Sequence, residues 1–298
     1  MVSALILALA LAVGPTRTPS PEAPPLPRMA IIIDDLGYVS RDQAVLALPG
    51  AVTVAVLPFS PHGAALAEDA HRRGKEVMIH LPMASDGEHH LGPGGITADM
   101  GEAQVRAQVA AAVAAVPHAR GINNHMGSRM TASLSHMRWT MAAIAAHPHL
   151  YFIDSRTTAA TVAEQTARSF GIASQRRHVF LDPDPSPATV ARQFAELLAR
   201  AQRGEQPIAI GHPYPATLAY LQRLLPRLDE LGVALVPASA LVHAPHPPLL
   251  AAMDSLRQSL RWPTAAASAV CLQEPPALPL LMPAHELAGT VSSSSRSR

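Results

Sequence analysis

The chain has 298 residues, 48% of them hydrophobic, which is enough apolar material for one large α/β domain or two small ones and excludes global disorder. Its 23 Lys+Arg nearly balance 22 Asp+Glu, so no basic field is present to hold a nucleic-acid backbone, and aromatics at 4% leave little for a nucleobase-stacking surface. A single cysteine, Cys271, rules out an internal disulfide and a cysteine-based zinc site.

In chain order, residues 4–13 form an unbroken apolar run that ends at Gly14-Pro15. The run has the length of a signal-peptide h-region and is too short to span a bilayer, although no Lys or Arg precedes it. Residues 1–15 are therefore expected to be a signal-peptide-like segment and 16–27 (TRTPSPEAPPLP) a Pro-rich linker. From 28 to 242, short apolar runs alternate with Ala/Leu-rich stretches of helical period. Strands are predicted at 30–33, 52–57, 77–79, 121–122, 151–153, 178–181, 208–210 and 234–236. The clearest helices are predicted at 103–116, 133–146, 158–170, 187–201 and 217–231. Buried, non-alternating strands separated by helices imply a parallel sheet covered by helices. Seven or eight such units favour a closed or nearly closed (β/α) barrel over an open doubly wound sheet. Residues 243–298 turn to Pro, Ala and Ser and read as a largely disordered tail, with a helical turn or two near 249–260.

A barrel of this kind carries function at the C-terminal ends of its strands. The first run is followed by Asp34-Asp35, the third by His80, the fourth by Asn123-Asn124-His125, the fifth by Asp154-Ser155-Arg156, the sixth by Asp182 and the seventh by Gly211-His212. Two imidazoles and one carboxylate form a three-ligand set that leaves a position open for water, the pattern of a catalytic zinc. One carboxylate of the Asp pair is then free to accept a proton, and His212 to protonate a leaving group. Each of these residues has a plainer reading: Asp34-Asp35 as a cap or turn, His80 and His125 as hydrogen-bonded core residues, His212 as a loop residue, Asp154 as an anchor for Arg156. Asp182 lies in LDPDPSP and reads as a turn residue, and His89-His90 as solvated loop residues.

IIIDDLGY (31–38), VMIHLPM (77–83), GINNHMGSRMT (121–131), FIDSRTT (152–158), HVFLD (178–182) and IGHPYP (210–215) together resemble the divergent polysaccharide deacetylase family of YibQ-like proteins. The resemblance covers about 28–241 and implies a distorted (β/α) barrel related to carbohydrate esterases that remove acetyl groups from sugars. By similarity, Asp34 is the base, Asp35, His80 and His125 are metal ligands, and His212 is the acid. Ordinary polysaccharide deacetylases pair their metal histidines as His-x-x-x-His. Here position 84 is Ala, so the second histidine comes from the next strand. The divergent family usually has an acidic residue after HLPM, where this chain has Ala84-Ser85.

The expected protein is an exported, periplasmic deacetylase that uses a divalent metal, zinc by preference, on an acetylated glycan or peptidoglycan-like substrate. Asn124, Ser128, Asp154, Arg156 and Tyr214 are the expected supporting or substrate-binding residues, with Arg156 orienting Asp154 or meeting a negative substrate group. The alternative is a non-catalytic glycan- or protein-binding envelope protein on the same fold, with an envelope protein as partner.

Overall fold

The computed structural model describes residues 25–87 and 90–243. The apolar start, most of the Pro-rich stretch, His89, Cys271 and the helical turn expected near 249–260 lie outside the described residues.

The chain alternates as the apolar pattern dictates. Strand β1 (Arg28–Leu36) is followed by a 3-10 turn (Ser40–Ala47), β2 (Thr53–Val56), α1 (Gly63–Arg72), β3 (Val77–Met83) and α2 (Glu102–Ala115). Then come β4 (Ala119–Met126), the short α3 (Ser128–Thr131), α4 (Leu134–Ile144), β5 (Tyr151–Asp154) and α5 (Ala163–Ser169). Strands β6 (Ser174–Arg176) and β7 (Val179–Phe180), α6 (Pro187–Gln202), β8 (Ile208–Gly211), α7 (Pro215–Leu224) and β9 (Ala234–Leu235) complete the domain. Helix α6 starts as its sequence requires, with Pro187 in the first turn and the Ser186 hydroxyl accepting from the Thr189 N–H.

The strands run β6-β5-β4-β3-β2-β1-β8-β7, with β9 added on β1, and every pairing is parallel. The two ends of this order, β6 and β7, are halves of one extended run. Arg177 N–H donates to Asp154 O on one side and His178 N–H to Ile208 O on the other, at 2.9 and 2.8 Å. The barrel is thus distorted at a seam where a single stretch of chain leaves β5 and joins β8.

Side-chain parity divides the apolar residues into two layers. Met29, Ile31, Ile33, Val54, Val56, Val77, Ile79, Ile122, Phe152 and Ala209 face the helices, while Ala30, Ile32, Ala55, Met78, Tyr151, Ile153, Ile208 and Ile210 fill the barrel lumen. Ala238 and Leu241 close the lumen from below. There Glu76 accepts from the Tyr151 hydroxyl at 2.7 Å and the Thr53 hydroxyl at 3.1 Å. Gly121 has no side chain because a Cβ would lie 2.5 Å from the Tyr151 ring.

Strands β3 and β4 run on to Met83 and Met126, beyond the expected 77–79 and 121–122, and three further elements differ from the sequence expectation. Strand β6 is polar (Ser-Gln-Arg) and carries no apolar signal. The helix expected over 158–170 is confined to Ala163–Ser169, because Thr161 Oγ1 donates to Asp154 Oδ2 and Thr157 Oγ1 to Met126 O, which hold the preceding loop against the strand ends. The helix expected over 217–231 gives way after Leu224 to a 3-10 turn that contains Pro226, which lacks the N–H that an α-helix needs.

Candidate metal centre

The parity that sets the lumen also builds the site. Following Ala30 and Ile32, Met78, Gly121, and Ile208 and Ile210 upward by two residues gives Asp34, His80, Asn123, His125 and His212. They form the top layer of the lumen, at the C-terminal mouth. Asp35 has the opposite parity and should face the helices. It reaches the same side because its backbone is left-handed (φ 63°) and the β1–β2 register shifts between Ile33 and Leu36. The loop that follows is fixed by Asp42, whose Oδ2 accepts from Gly37 N–H at 2.9 Å and Val39 N–H at 3.2 Å. Gly37 itself is required, at φ 113° with Gly63 Cα 2.9 Å from where a Cβ would sit.

Three potential ligand atoms form a near-equilateral triangle. Asp35 Oδ1 lies 3.0 Å from His80 Nε2 and 2.8 Å from His125 Nδ1, and the two ring nitrogens are 3.1 Å apart. In a tetrahedral site with bonds of about 2.0–2.1 Å, ligand atoms stand roughly 3.3 Å apart, so the triangle needs only a slight opening. Asp35 Oδ1 is buried and has no well-aligned hydrogen-bond donor despite these short approaches, as expected of an oxygen whose partner is a cation. The donor set of one carboxylate and two imidazoles suits zinc.

The surroundings hold these groups in place. His80 Nδ1 is 2.7 Å from Asn123 Oδ1, so its N–H donates there and Nε2 keeps its lone pair for a ligand. The Asn123 amide in turn donates to Asp34 Oδ1 at 2.8 Å. Asp34 is buried, and its Oδ2 is 3.6 Å from His80 Nδ1. Burial raises the Asp34 carboxyl above the usual range, against the pull of His80 and His212. For Asp35 burial acts in the same sense, but the contacts from His125 and His80 outweigh it and hold the carboxyl below the usual range. Burial opposes protonation of His80, yet Asp34 and Asp35 push its pKa up to about 9, so a cation ligated by Nε2 would take the place of a proton on that nitrogen.

Across the mouth, His212 is oriented by a carboxylate that the sequence presents as a turn residue. Asp182 is buried, takes the His212 Nδ1–H on Oδ1 at 2.9 Å, and accepts the His212 backbone N–H and the Thr217 hydroxyl on Oδ2, each at 2.7 Å. His212 Nε2 is left facing the site, 3.7 Å from Asp35 Oδ2. Its ring is held between Phe180 and Tyr214, each with its centroid 5.6 Å away. Burial lowers the His212 pKa, but Asp182, Asp34 and Asp35 together raise it above the ordinary value.

Asp34, Asp35, His80, His125, His212 and the partly exposed Tyr214 therefore come together. Ser128 sits nearby in a depression of about 350 Å³ with Ser85, Asp86, Met126 and Thr157, its hydroxyl accepting from Asp86 N–H. Asn124 and Asp154 have outward parity and serve as scaffold. Asn124 accepts from Ser155 N–H and donates to Met126 O. Asp154 accepts the Arg156 backbone N–H and the Thr161 hydroxyl, and forms no ion pair with the Arg156 side chain. Arg156 is left-handed (φ 50°), and its carbonyl accepts from Arg177. The sequence places Asn123 and Asp182 at strand ends, but sequence reasoning gives neither a part in the site and reads Asp182 as a turn residue. Both have lumen parity, and that signal would have found them. Ala84 is half-buried and contributes backbone bonds to Ile96 and Met130, so no side-chain carboxylate enters from that position. His90 is exposed, as a loop residue would be.

A parallel barrel whose mouth gathers three histidines and three carboxylates is a deacetylase-like (β/α) barrel with a donor set suited to a divalent ion. Residues 31–242 match the divergent polysaccharide deacetylase family, and the chain belongs to that family. It is 42% identical over 153 residues to the uncharacterized protein YibQ of Escherichia coli (strain K12), covering 51% of this chain and 48% of that one. It is 40% identical over 153 residues to an uncharacterized protein of Haemophilus influenzae (strain ATCC 51907 / DSM 11121 / KW20 / Rd), covering 51% and 54%. The chain thus spans about half the length of the curated relatives it matches. Among solved structures, the uncharacterized protein ATU2773 of Agrobacterium tumefaciens C58 shares the fold at a TM-score of 0.70 and 23% identity, over 74% of this chain and 91% of that one.

Proposed function

We propose that this protein is an exported metal-dependent hydrolase that removes acetyl groups from an envelope polysaccharide or related glycan. The observation that carries the reading is the Asp35–His80–His125 triangle, accompanied by a buried carboxylate, Asp34, and a carboxylate-oriented histidine, His212. Export is supported by the apolar run at 4–13.

A divalent ion held by Asp35, His80 and His125 would supply an acidified water and polarise an acetyl carbonyl. The chain's own groups supply the proton movements. Asp34 has Oδ1 fixed by Asn123, which leaves Oδ2 to take a proton from the attacking water, and its raised pKa suits a base working near neutrality. His212 keeps its Nδ1–H on Asp182, so Nε2 is the nitrogen that hands a proton to the departing amine or alcohol. Two titrating groups with different hydrogen-bond partners, at the neighbouring ends of β1 and β8, form an arrangement that can divide base from acid. Water adds to the acetyl carbonyl, the C–N or C–O bond breaks, and acetate and the free amine or alcohol leave.

The test pairs metal content with acetate release from acetylated chitooligosaccharides and peptidoglycan fragments, for wild type, His125→Ala and Asp34→Asn. Wild type is expected to hold about one equivalent of zinc, and His125→Ala to lose it. Asp34→Asn is expected to keep the metal and lose turnover by ~10²–10⁴-fold. Full activity in Asp34→Asn would overturn its role. A wild type that takes up no zinc would overturn the hydrolase reading and leave a binding protein on the same fold.

A further inference from the structure

A groove of about 540 Å³ opens from Asp35 and His212 onto the loop after β1 and the start of α7, and Tyr38, Arg41 and Tyr214 line it. In a chain with only 4 tyrosines, two stand open on this groove, Tyr38 at 44% and Tyr214 at 42% exposure. Exposed rings beside a polar cleft are the surfaces on which the C–H faces of sugars lie, apolar on the ring and polar at the hydroxyl. Arg41 is exposed and belongs to none of the arginine–carboxylate pairs among the described residues. The carboxylate next to it in sequence, Asp42, is turned inward and occupied by the Gly37 and Val39 N–H groups. The other carboxylate on the groove, Asp35, faces His80 and His125. Among the described residues Arg41 is therefore a guanidinium on the groove with no carboxylate partner, and a guanidinium in that state matches a planar carboxylate.

We propose that this groove selects glycans that carry a carboxylate close to the acetylated sugar, with Arg41 meeting the carboxylate and Tyr38 and Tyr214 carrying the sugar rings. The proposal rests on the reading that the neighbouring cluster handles an acetylated glycan, and it names the class of that glycan.

The experiment is titration calorimetry on the zinc-loaded full chain with a matched pair of ligands. One is an N-acetylglucosamine–N-acetylmuramic acid disaccharide with its carboxylate free, and the other is its methyl ester. Wild type is expected to bind the acid ~10-fold tighter than the ester, with the preference shrinking as salt rises. Arg41→Gln is expected to abolish the preference and Arg41→Lys to keep part of it. Tyr38→Ala and Tyr214→Ala are expected to weaken both ligands alike. Equal binding of acid and ester by wild type, no binding of either, or an undiminished preference in Arg41→Gln would each overturn the proposal. Acetate release followed in parallel separates the two readings. A preserved preference without release removes the deacetylase reading and leaves an acidic-glycan site, whereas release without preference removes this proposal alone.

Discussion

Asn123 offers the sharpest perturbation, because one side chain touches both halves of the centre. It is fully buried, with Oδ1 2.7 Å from His80 Nδ1 and Nδ2 2.8 Å from Asp34 Oδ1. In Asn123→Ala the His80 N–H loses its acceptor, so nothing holds Nε2 as the lone-pair nitrogen, and Asp34 loses a donor inside the barrel. Removing the partner of a ligating histidine costs ~10–100-fold in metal affinity, or about 1.4–2.7 kcal/mol. The two abandoned polar groups and the small void are expected to lower stability by a further ~2–4 kcal/mol. Competition against a chromophoric zinc chelator measures the first effect and thermal unfolding the second. Asn123→Asp separates the two contacts. It still accepts from His80, so zinc binding is expected to stay near wild type. Its carboxylate faces Asp34, so the pair retains a proton and acetate release is expected to fall. Unchanged zinc affinity in a folded Asn123→Ala protein would refute the reasoning.

Three further outcomes are expected. Gly37→Ala places a Cβ 2.2 Å from Ser60 Oγ and 2.9 Å from Gly63 Cα at φ 113°; it is expected to cost ~2–4 kcal/mol, read as a lower Tm, and Ser60→Ala is expected not to rescue it because the Gly63 backbone remains. Asp182→Ala is expected to reduce acetate release by ~10²-fold with zinc content intact. Its alkaline limb is expected to move to lower pH, because the Asp182 contact that raises His212 is gone; an unmoved limb would remove His212 as the acid. His178 accepts Ile208 N–H on Nδ1 at the seam, and burial, followed by Arg176 and Arg200, pushes its pKa down to about 4. The folded protein therefore binds fewer protons at this site than the unfolded chain. The stabilisation is complete above the ordinary histidine range and is lost as pH falls through about 4. Discounted for partial exposure it amounts to ~1–2 kcal/mol, and denaturant melts of His178→Gln between pH 7 and 4 are expected to fall less steeply than those of wild type.

Much of this architecture is legible in the sequence because the strands are short, apolar and regularly spaced. The polar residues that end them identify Asp34, His80, His125 and His212 without reference to structure. Facing direction was the part left unread. Phe152 faces the helices, so Asp154 does too, and Ile122 does the same for Asn124; both were expected near the chemistry and act as scaffold. Leu181 faces the helices, so Asp182 faces the lumen, although its Pro-rich neighbours suggest a turn. Strand parity read from the apolar residues sorts these three correctly. It fails at Asp35, where a left-handed residue and a register shift reverse the count, and no pattern of residue types announces that reversal. Strand β6 was missed for a different reason: its backbone is paired through a polar Ser-Gln-Arg triplet, stabilised by its neighbours rather than by its own apolar content.

The split seam makes the domain sensitive to where it is cut. Because one run of chain leaves β5 to join β8, Ser174 is covered from outside by His243, which exchanges both backbone hydrogen bonds with it in antiparallel fashion at 3.2 and 3.3 Å. A fragment ending a few residues before His243 would bare the N–H and C=O of Ser174 on the flank of the barrel, and would also withdraw Leu241 from beneath the lumen. Such an edge is a template for strand addition from a second molecule, so a version trimmed to the last strand, β9, is expected to self-associate even with every residue of the metal centre in place.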